Sequence, residues 1–330
     1  MDSNLTATVN ENGRPTVHYV AAEWHLYTVK SLTSILDSVG MDLTTWNWSD
    51  MLQSERLPWG LWVLSDFDRI PAWWLEIAAR RYALLTSAQM TVLNDPRRFL
   101  HRAAFIRQMW TKGHNSFDCW LPAFGEVPYR YPVFLRTILA HRGTISDLLP
   151  DAQAARAALE DALAAGHPLA NLCFVEYRAA PTTEGVFRKF AAYRVGDQIV
   201  GALSVNERGW HAKFGSKGAA SDVDYAQERR EMIRYPHEAA IRLAFDVAGL
   251  SYGRADFAIV NGRIEVYEIN TNPFIGTVTE HPNADRLESN RLSRDGLGAA
   301  FAKLFRPSPP DLVDGHIPVP PDPRPLGRQP

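Results

Sequence analysis

The sequence predicts a mixed α/β and α+β chain folded as one compact multi-lobed unit. Three observations point there. Strand-like and helix-like segments alternate near the N-terminus, two long alternating runs lie in the middle, and a strand pair from Asp256 to Asn270 is centred on Asn261-Gly262. At 330 residues the chain can bury a substantial core.

The elements follow in order. Residues 15–20 (PTVHYV) and 42–48 (DLTTWNW) read as short strands around a helix over Tyr27–Val39, whose apolar positions recur at helical spacing. Gly60–Ser65 is a further strand, leading to a helix over Ala72–Ala83 and a short strand ending at Asn94. Asn94-Asp95-Pro96 is a turn before another helix, since Asn and Asp supply capping oxygens and Pro fixes φ. Tyr131–Arg136 reads as a strand, and Asp151–Ala165, rich in Ala with spaced Leu, as a helix. Asn171–Tyr177 and Val186–Val205 alternate like strands, the latter interrupted at Gly196-Asp197. One helix is expected over Tyr225–Ala248. From Pro307 onward Pro is so frequent that an extended or disordered tail is expected.

Composition removes several classes of function. Lys+Arg of 35 against Asp+Glu of 37 gives a formal charge of −2, so no global field draws nucleic acid or anionic lipid. The first residues lack the order of a signal peptide and no run is long enough to span a bilayer, so a soluble, cytoplasmic protein is expected. Cys119 and Cys173 have no zinc spacing and read as buried, reduced thiols. The tryptophans clustered between Trp46 and Trp74 read as core packing rather than a stacking surface.

The stretch GRADFAIVNGRIEVYEINTNPFIG carries the chemistry. Glu268 and Asn270 share one face of a strand, ~6–7 Å apart. With Asp256 they would offer hard oxygens of the kind Mg²⁺ takes. Register decides whether they meet. A two-residue Asn261-Gly262 loop pairs Val260 with Arg263 and sets Asp256 opposite Tyr267, turning Glu268 away. A shared site therefore requires an odd loop with a Gly-containing bulge, and Glu268 would then lie on the face of Ile264 and Val266.

Arg254-Ala-Asp256 followed by Glu268-Ile-Asn270-Thr-Asn272-Pro273 resembles the Arg-x-Asp and Glu-x-Asn-x-x-Pro signature of ATP-grasp ligases, the superfamily of D-alanine–D-alanine ligase, glutathione synthetase and ribosomal-protein glutamate ligases. The resemblance implies an ATP-grasp fold behind an N-terminal α/β lobe. The lobes would run over 1–93, 94–185 and 186–306, with 307–330 as the tail. It implies ATP and Mg²⁺ as cofactors, Asp256, Glu268 and Asn270 as metal ligands, and Arg254 as the group that stabilises transition-state charge. Arg102, eleven residues before Gly113, and Arg136, ending its strand, stand where the family has phosphate-binding lysines. Only His141-Arg142-Gly143 stands where a glycine-rich loop is usual. Glu176 and Tyr177 would flank adenine, Glu184 would accept ribose hydroxyls, Lys189 would point into the cleft, and Lys213 would reach the terminal phosphate.

By the same resemblance the activity would be ADP-forming ligation of a carboxylate, through an acyl phosphate, to an amine on a small molecule or peptide. A degenerate ATP-binding module and a phosphotransferase are the alternatives. His281, Asn283 and the Trp-rich N-terminal lobe are candidate substrate contacts. The oligomeric state is left open, a homodimer included.

Overall fold

A computed structural model describes residues 14–321 apart from 140–142, 183, 211–214, 277, 279, 308, 310 and 311. The chain runs β1 (Thr16–Ala21), α1 (Lys30–Ser38), β2 (Asp42–Asn47), α2 (Trp48–Gln53), β3 (Arg56–Pro58), β4 (Leu61–Leu64), α3 (Ala72–Ser87) and β5 (Val92–Leu93). All of these strands but β3 form a parallel sheet of order β2-β1-β4-β5. Its central strands are apolar along their length because they are covered on both faces, and β4 is buried throughout. The expected β-α-β opening is present, with a 3-10 turn over Glu23–Val29 in place of the first part of the expected helix.

Next come α4 (Arg102–Thr111), β6 (Cys119–Trp120), β7 (Val133–Thr137), α5 (Ala152–Ala164) and β8 (Leu172–Glu176). They contribute a small antiparallel sheet, β6-β8-β7. Asp151 caps α5, its carboxylate accepting the Ala154 N–H at 2.9 Å. The last part contains β9 (Phe187–Val195), β10 (Gln198–Glu207), α6 (Asp222–Ile233), α7 (Glu238–Ala248), β11 (Tyr252–Val260), β12 (Arg263–Asn270), α8 (Ala284–Ala302) and β13 (His316–Pro318). Its antiparallel sheet has the order β10-β9-β11-β12.

Two expectations are corrected. The single helix over Tyr225–Ala248 is two, broken at Arg234-Tyr235-Pro236, because Pro lacks an N–H and disfavours helical backbone in the residue before it. The Pro-rich tail is not wholly unstructured: β13 pairs antiparallel with β3, and Ile317 and Val319 are buried. Asn283 is the N-cap of α8, accepting the Arg286 N–H at 3.2 Å, and its amide donates to Asp222 at 2.7 Å.

The lobes share a core. Trp48, Trp62 and Phe67 of the first lobe belong to the same buried cluster as Phe245 and Phe257 of the last. Trp48, Trp59 and Trp62 are buried with their indole N–H groups on backbone carbonyls, as core packing requires, whereas Trp24 and Trp73 are exposed. Asn94 fastens the sheets together from a left-handed backbone position. Its amide donates to Leu64 O and accepts from the N–H groups of Ser251 and Tyr252. Cys119 and Cys173 are buried free thiols, and burial pushes both up. Among the described residues, no helix is long and apolar enough to cross a membrane.

Candidate functional site

The hairpin of β11 and β12 builds one wall of the cleft. Asn261 and Gly262 have φ of 52° and 78° and join Val260 directly to Arg263, a two-residue turn of the kind that suits twisted strands. The expected odd loop is therefore absent. Even register persists only as far as Phe257 opposite Val266. There the pairing shifts, so that Asp256 faces Glu268 and Arg254 faces Asn270, leaving Tyr267 as the extra residue of a β-bulge. The bulge accomplishes what the loop does not. It also corrects the expected facing: Phe257 and Val266 enter the core, while Asp256, Ala258, Tyr267 and Glu268 line the cleft. The carboxylate buried elsewhere on β12 is Glu265, which accepts the Ser116 N–H at 2.8 Å.

Each cleft carboxylate is gripped by two cations. Asp256, buried, accepts from Arg254 at 2.8 and 3.2 Å and from Lys189 on β9 at 3.1 Å. Glu268 accepts from Arg102 on α4 at 2.7 Å and from Arg136 on β7 at 3.3 Å. Arg102 also donates to Thr137 O at 2.9 Å, tying α4 to the end of β7. Burial, then the neighbouring Arg102, pushes the Arg136 guanidinium down to about 10, against the pull of Glu268. For Arg254 burial acts downward too, but Asp256 and Tyr193 outweigh it and hold its guanidinium above its usual range. Four cations against two carboxylates leave an excess of positive charge in a sheltered place, which suits a polyanion.

A cavity of about 270 Å³ opens between the sheet of β7 and β8 and that of β9, β11 and β12. Phe134, Val175, Ile106, Phe117 and Ala258 supply apolar lining, and Arg136, Lys189, Asp256 and Glu268 supply charge. Trp210 stands against Phe134 and Tyr177, with ring centroids 5.2 and 5.6 Å away. An apolar slot ending in convergent charges is what a flat base bearing an anionic tail requires.

Glu176 ends β8 and Tyr177 follows it, with the backbone donors of both engaged. The N–H groups of Glu176 and Tyr177 are already bonded to Asp118 O and Pro132 O. The Glu176 carboxylate is buried, bonded to the Asp118 N–H and paired with Arg178 and Arg130. Both residues line the cavity, and Arg178–Ala180, next along the chain, line it too. Glu184 is exposed in a turn outside the lining, and Lys213 lies outside the described residues, as do His141 and Arg142. Gly143 and Thr144 lie on the cavity wall.

Asp256, Glu268 and Asn270 fit Mg²⁺ in chemistry, being two carboxylates and an amide oxygen on adjacent strands. Among the described residues no group of three His, Cys, Asp or Glu side chains could hold a metal, so a cation here would take further oxygens from phosphate or water. Reasoning from sequence missed Tyr267, whose hydroxyl donates to Arg178 O at 2.7 Å and joins the bulge to the segment after β8, and Arg188, which also lines the cavity.

No protein-family model and no curated protein sequence matches the chain. In overall shape it is similar to ATP-grasp ligases. A RimK-domain ATP-grasp protein from Sphaerobacter thermophilus aligns at 14% identity and TM-score 0.48, over 87% of this chain and 98% of its own. The D-alanine–D-alanine ligase of Bacillus anthracis, solved with ATP, aligns at 10% identity and TM-score 0.47, over 88% and 99%. A RiPP-associated ATP-grasp ligase from Chryseobacterium gregarium, solved with ADP and a leader and core peptide, aligns at 12% identity and TM-score 0.46, over 88% and 97%. At these scores the functional reading is carried by the residues of the site.

Proposed function

We propose that the chain is an ADP-forming ligase that uses ATP to activate a carboxylate and joins it to an amine. The observation that supports this most is the bulge at Tyr267, which sets Asp256 opposite Glu268 and Arg254 opposite Asn270, with Asp256 and Glu268 on the wall of an apolar slot.

In this reading adenine lies in the slot between Phe134, Val175 and Ala258, with the Arg178–Ala180 segment at its edge and Tyr177 and Trp210 above it. Arg102, Arg136 and Lys189 give their donors to phosphate oxygens, exchanging Glu268 and Asp256 for the nucleotide. Mg²⁺, when held by Asp256, Glu268 and Asn270, supplies neutralising charge at the phosphates. Lys213 is assigned to the terminal phosphate. Arg254 is placed to offset charge on the phosphoryl group as the substrate carboxylate attacks it and ADP leaves. The amine then displaces phosphate from the acyl phosphate.

The test is incubation with Mg-ATP and a pool of the twenty amino acids and their dipeptides, read by mass spectrometry. ADP and phosphate release that needs both a carboxylate and an amine, with a condensed product, supports the ligase. A phosphorylated product without condensation supports a phosphotransferase instead. A second reading, a nucleotide-sensing module, draws support from the grip of Arg102 and Arg136 on Glu268, which occupies a carboxylate that the metal needs. Tight ATP binding without turnover in any mixture would favour it.

A further inference from the structure

A second polar cluster lies where the first lobe meets the end of β12. After β4 the backbone enters the left-handed region at Asp66, with φ of 56°, which non-glycine residues adopt only when surroundings enforce it. Asp66 is 2% exposed. It accepts the Ala22 N–H at 3.1 Å and the Asn272 amide at 2.9 Å, and lies 3.2 Å from the Arg69 guanidinium. The Asn272 oxygen is fixed in turn by the hydroxyls of Tyr19 and Thr28, at 3.0 and 2.8 Å.

Asp66 also holds His25, whose Nδ1 lies 2.8 and 2.9 Å from its two oxygens. A carboxylate can only accept, so Nδ1 carries the proton and Nε2 keeps its lone pair. Among the described residues no group bonds Nε2, and it is not one of the buried unpartnered atoms, so it reaches solvent. The imidazole stands between the rings of Trp24 and Tyr27, 5.5 and 5.6 Å away and both exposed. Asp66, Trp24 and Tyr27 thus orient or flank the imidazole, with Ala22, Asn272 and Arg69 holding Asp66 in turn.

The dyad lies along the segment that leaves the proposed metal set. Asn272 is two residues beyond Asn270, and Arg254 donates to Phe274 O at 3.1 Å, so residues 270–274 run from the metal set past both Arg254 and the His25 dyad. A small cavity of about 30 Å³ is bordered by Asp68 and Thr271 from this side and by Arg102 and Glu268 from the other.

We infer that His25 is the proton acceptor for the attacking amine and that Asp66 is its positioning residue; this rests on the ligase reading above. The neutral amine attacks the acyl carbon, the C–N bond forms, and the C–O bond to phosphate breaks. Phosphate leaves with that electron pair, and the surplus proton on nitrogen passes to Nε2. Asp66 stabilises the resulting imidazolium. A lone pair suits an amine and not a carboxylate, which would need a donor. Asp66 faces His25 and Arg69 faces Asp66, both from the turn after β4, and Glu23 lies two residues before His25 on its own turn; Asn272 and Thr271, from beyond β12, are neutral.

Two measurements on the full chain decide it. Nitrogen-15 NMR of His25 should show the Nδ1–H tautomer with a free Nε2, and an Nε2–H tautomer would overturn the inference. In the second, Mg-ATP and the amino-acid and dipeptide pool are supplied with and without hydroxylamine, which is neutral near pH 7 and captures acyl phosphate without a base. His25→Gln should lower condensed product by about 10²-fold or more. Hydroxamate should fall less than about threefold in the same variant, and ATP binding and Tm should hold. Equal loss of hydroxamate and condensed product, or loss of neither, overturns the role. A wild-type chain that yields neither sinks the ligase reading itself and the role with it.

Discussion

Glu268→Gln tests the cleft electrostatics without any knowledge of the substrate. In the free protein this carboxylate is the shared partner of Arg102 and Arg136, whose side chains are 5% and 14% exposed. Removing one partner of a buried pair costs ~3–5 kcal/mol, mostly because the remaining charge is left alone. Glu268 is itself 20% exposed, so water screens part of this and ~2–3 kcal/mol is the better expectation. Unfolding entropy of ~2.1 cal/mol/K per residue gives roughly 0.7 kcal/mol/K for 330 residues, so Tm should fall by roughly 3–4 °C. Without Mg²⁺ the order reverses on adding ATP. Phosphate no longer competes with Glu268 for the arginines, and the variant's Tm should rise more than that of the wild type. With Mg²⁺ the wild type should gain further and the variant should not. Calorimetric scans of both proteins with ATP, with and without Mg²⁺, provide the readout. A variant with wild-type Tm and wild-type nucleotide response would refute both the clamp on Glu268 and its place at the phosphates.

Arg102→Ala and Arg136→Ala should each raise the apparent KM for ATP about tenfold or more, with partial rescue by Lys, as steady-state kinetics will show. Arg102→Ala should be the more damaging, since it also releases Thr137 O. Burial pushes the His18 imidazole down to about 4, while the unfolded chain titrates near its usual 6.5 and so binds the proton first. Stability present above pH 6.5 should therefore be lost as pH falls towards 4, by about 3 kcal/mol, and denaturant midpoints of His18→Phe should lack that limb. Ile317→Ala should cost about 2 kcal/mol because the side chain is buried where β13 meets β3; an unchanged denaturation midpoint would mean that the tail does not dock.

Much of this architecture was legible because the physics behind it is local. Strand β4 reads as a continuous apolar run because both its faces are covered, and Asp151 announces a helix start through a side chain that can accept an N–H. The break at Pro236 was equally legible, and the expected continuous helix ran against it. The tail hid its strand behind prolines, yet His316, Ile317, Pro318 and Val319 alternate exposed and buried, a period of two that an edge strand tolerates even with Pro. The dyad of His25 and Asp66 had no signal of its own, since its members are 41 residues apart and meet only through sheet topology.

The hairpin shows most clearly where a sequence argument ends. Two constraints pulled against each other: Asn261-Gly262 favours a two-residue turn, which fixes even register, and a shared site for Asp256, Glu268 and Asn270 needs odd register. Giving up the first constraint led to the wrong loop. Both hold in the folded chain, because parity can change anywhere between the turn and the site, and it changes at Tyr267. A bulge leaves no mark in the alternation of polar and apolar residues, since Tyr267 is as plausible in a regular strand as out of one. The conflict itself was the signal. When turn chemistry and site chemistry demand opposite parities, the extra residue must lie between them, here within β11 from Asp256 or β12 up to Glu268. Tyr267 adds what parity alone does not: its side chain lines the cleft with Glu268, and its hydroxyl fixes the Arg178 carbonyl on the opposite lobe. The residue that corrects the register is thus also a strut between the wall that carries Asp256 and Glu268 and the segment that follows β8.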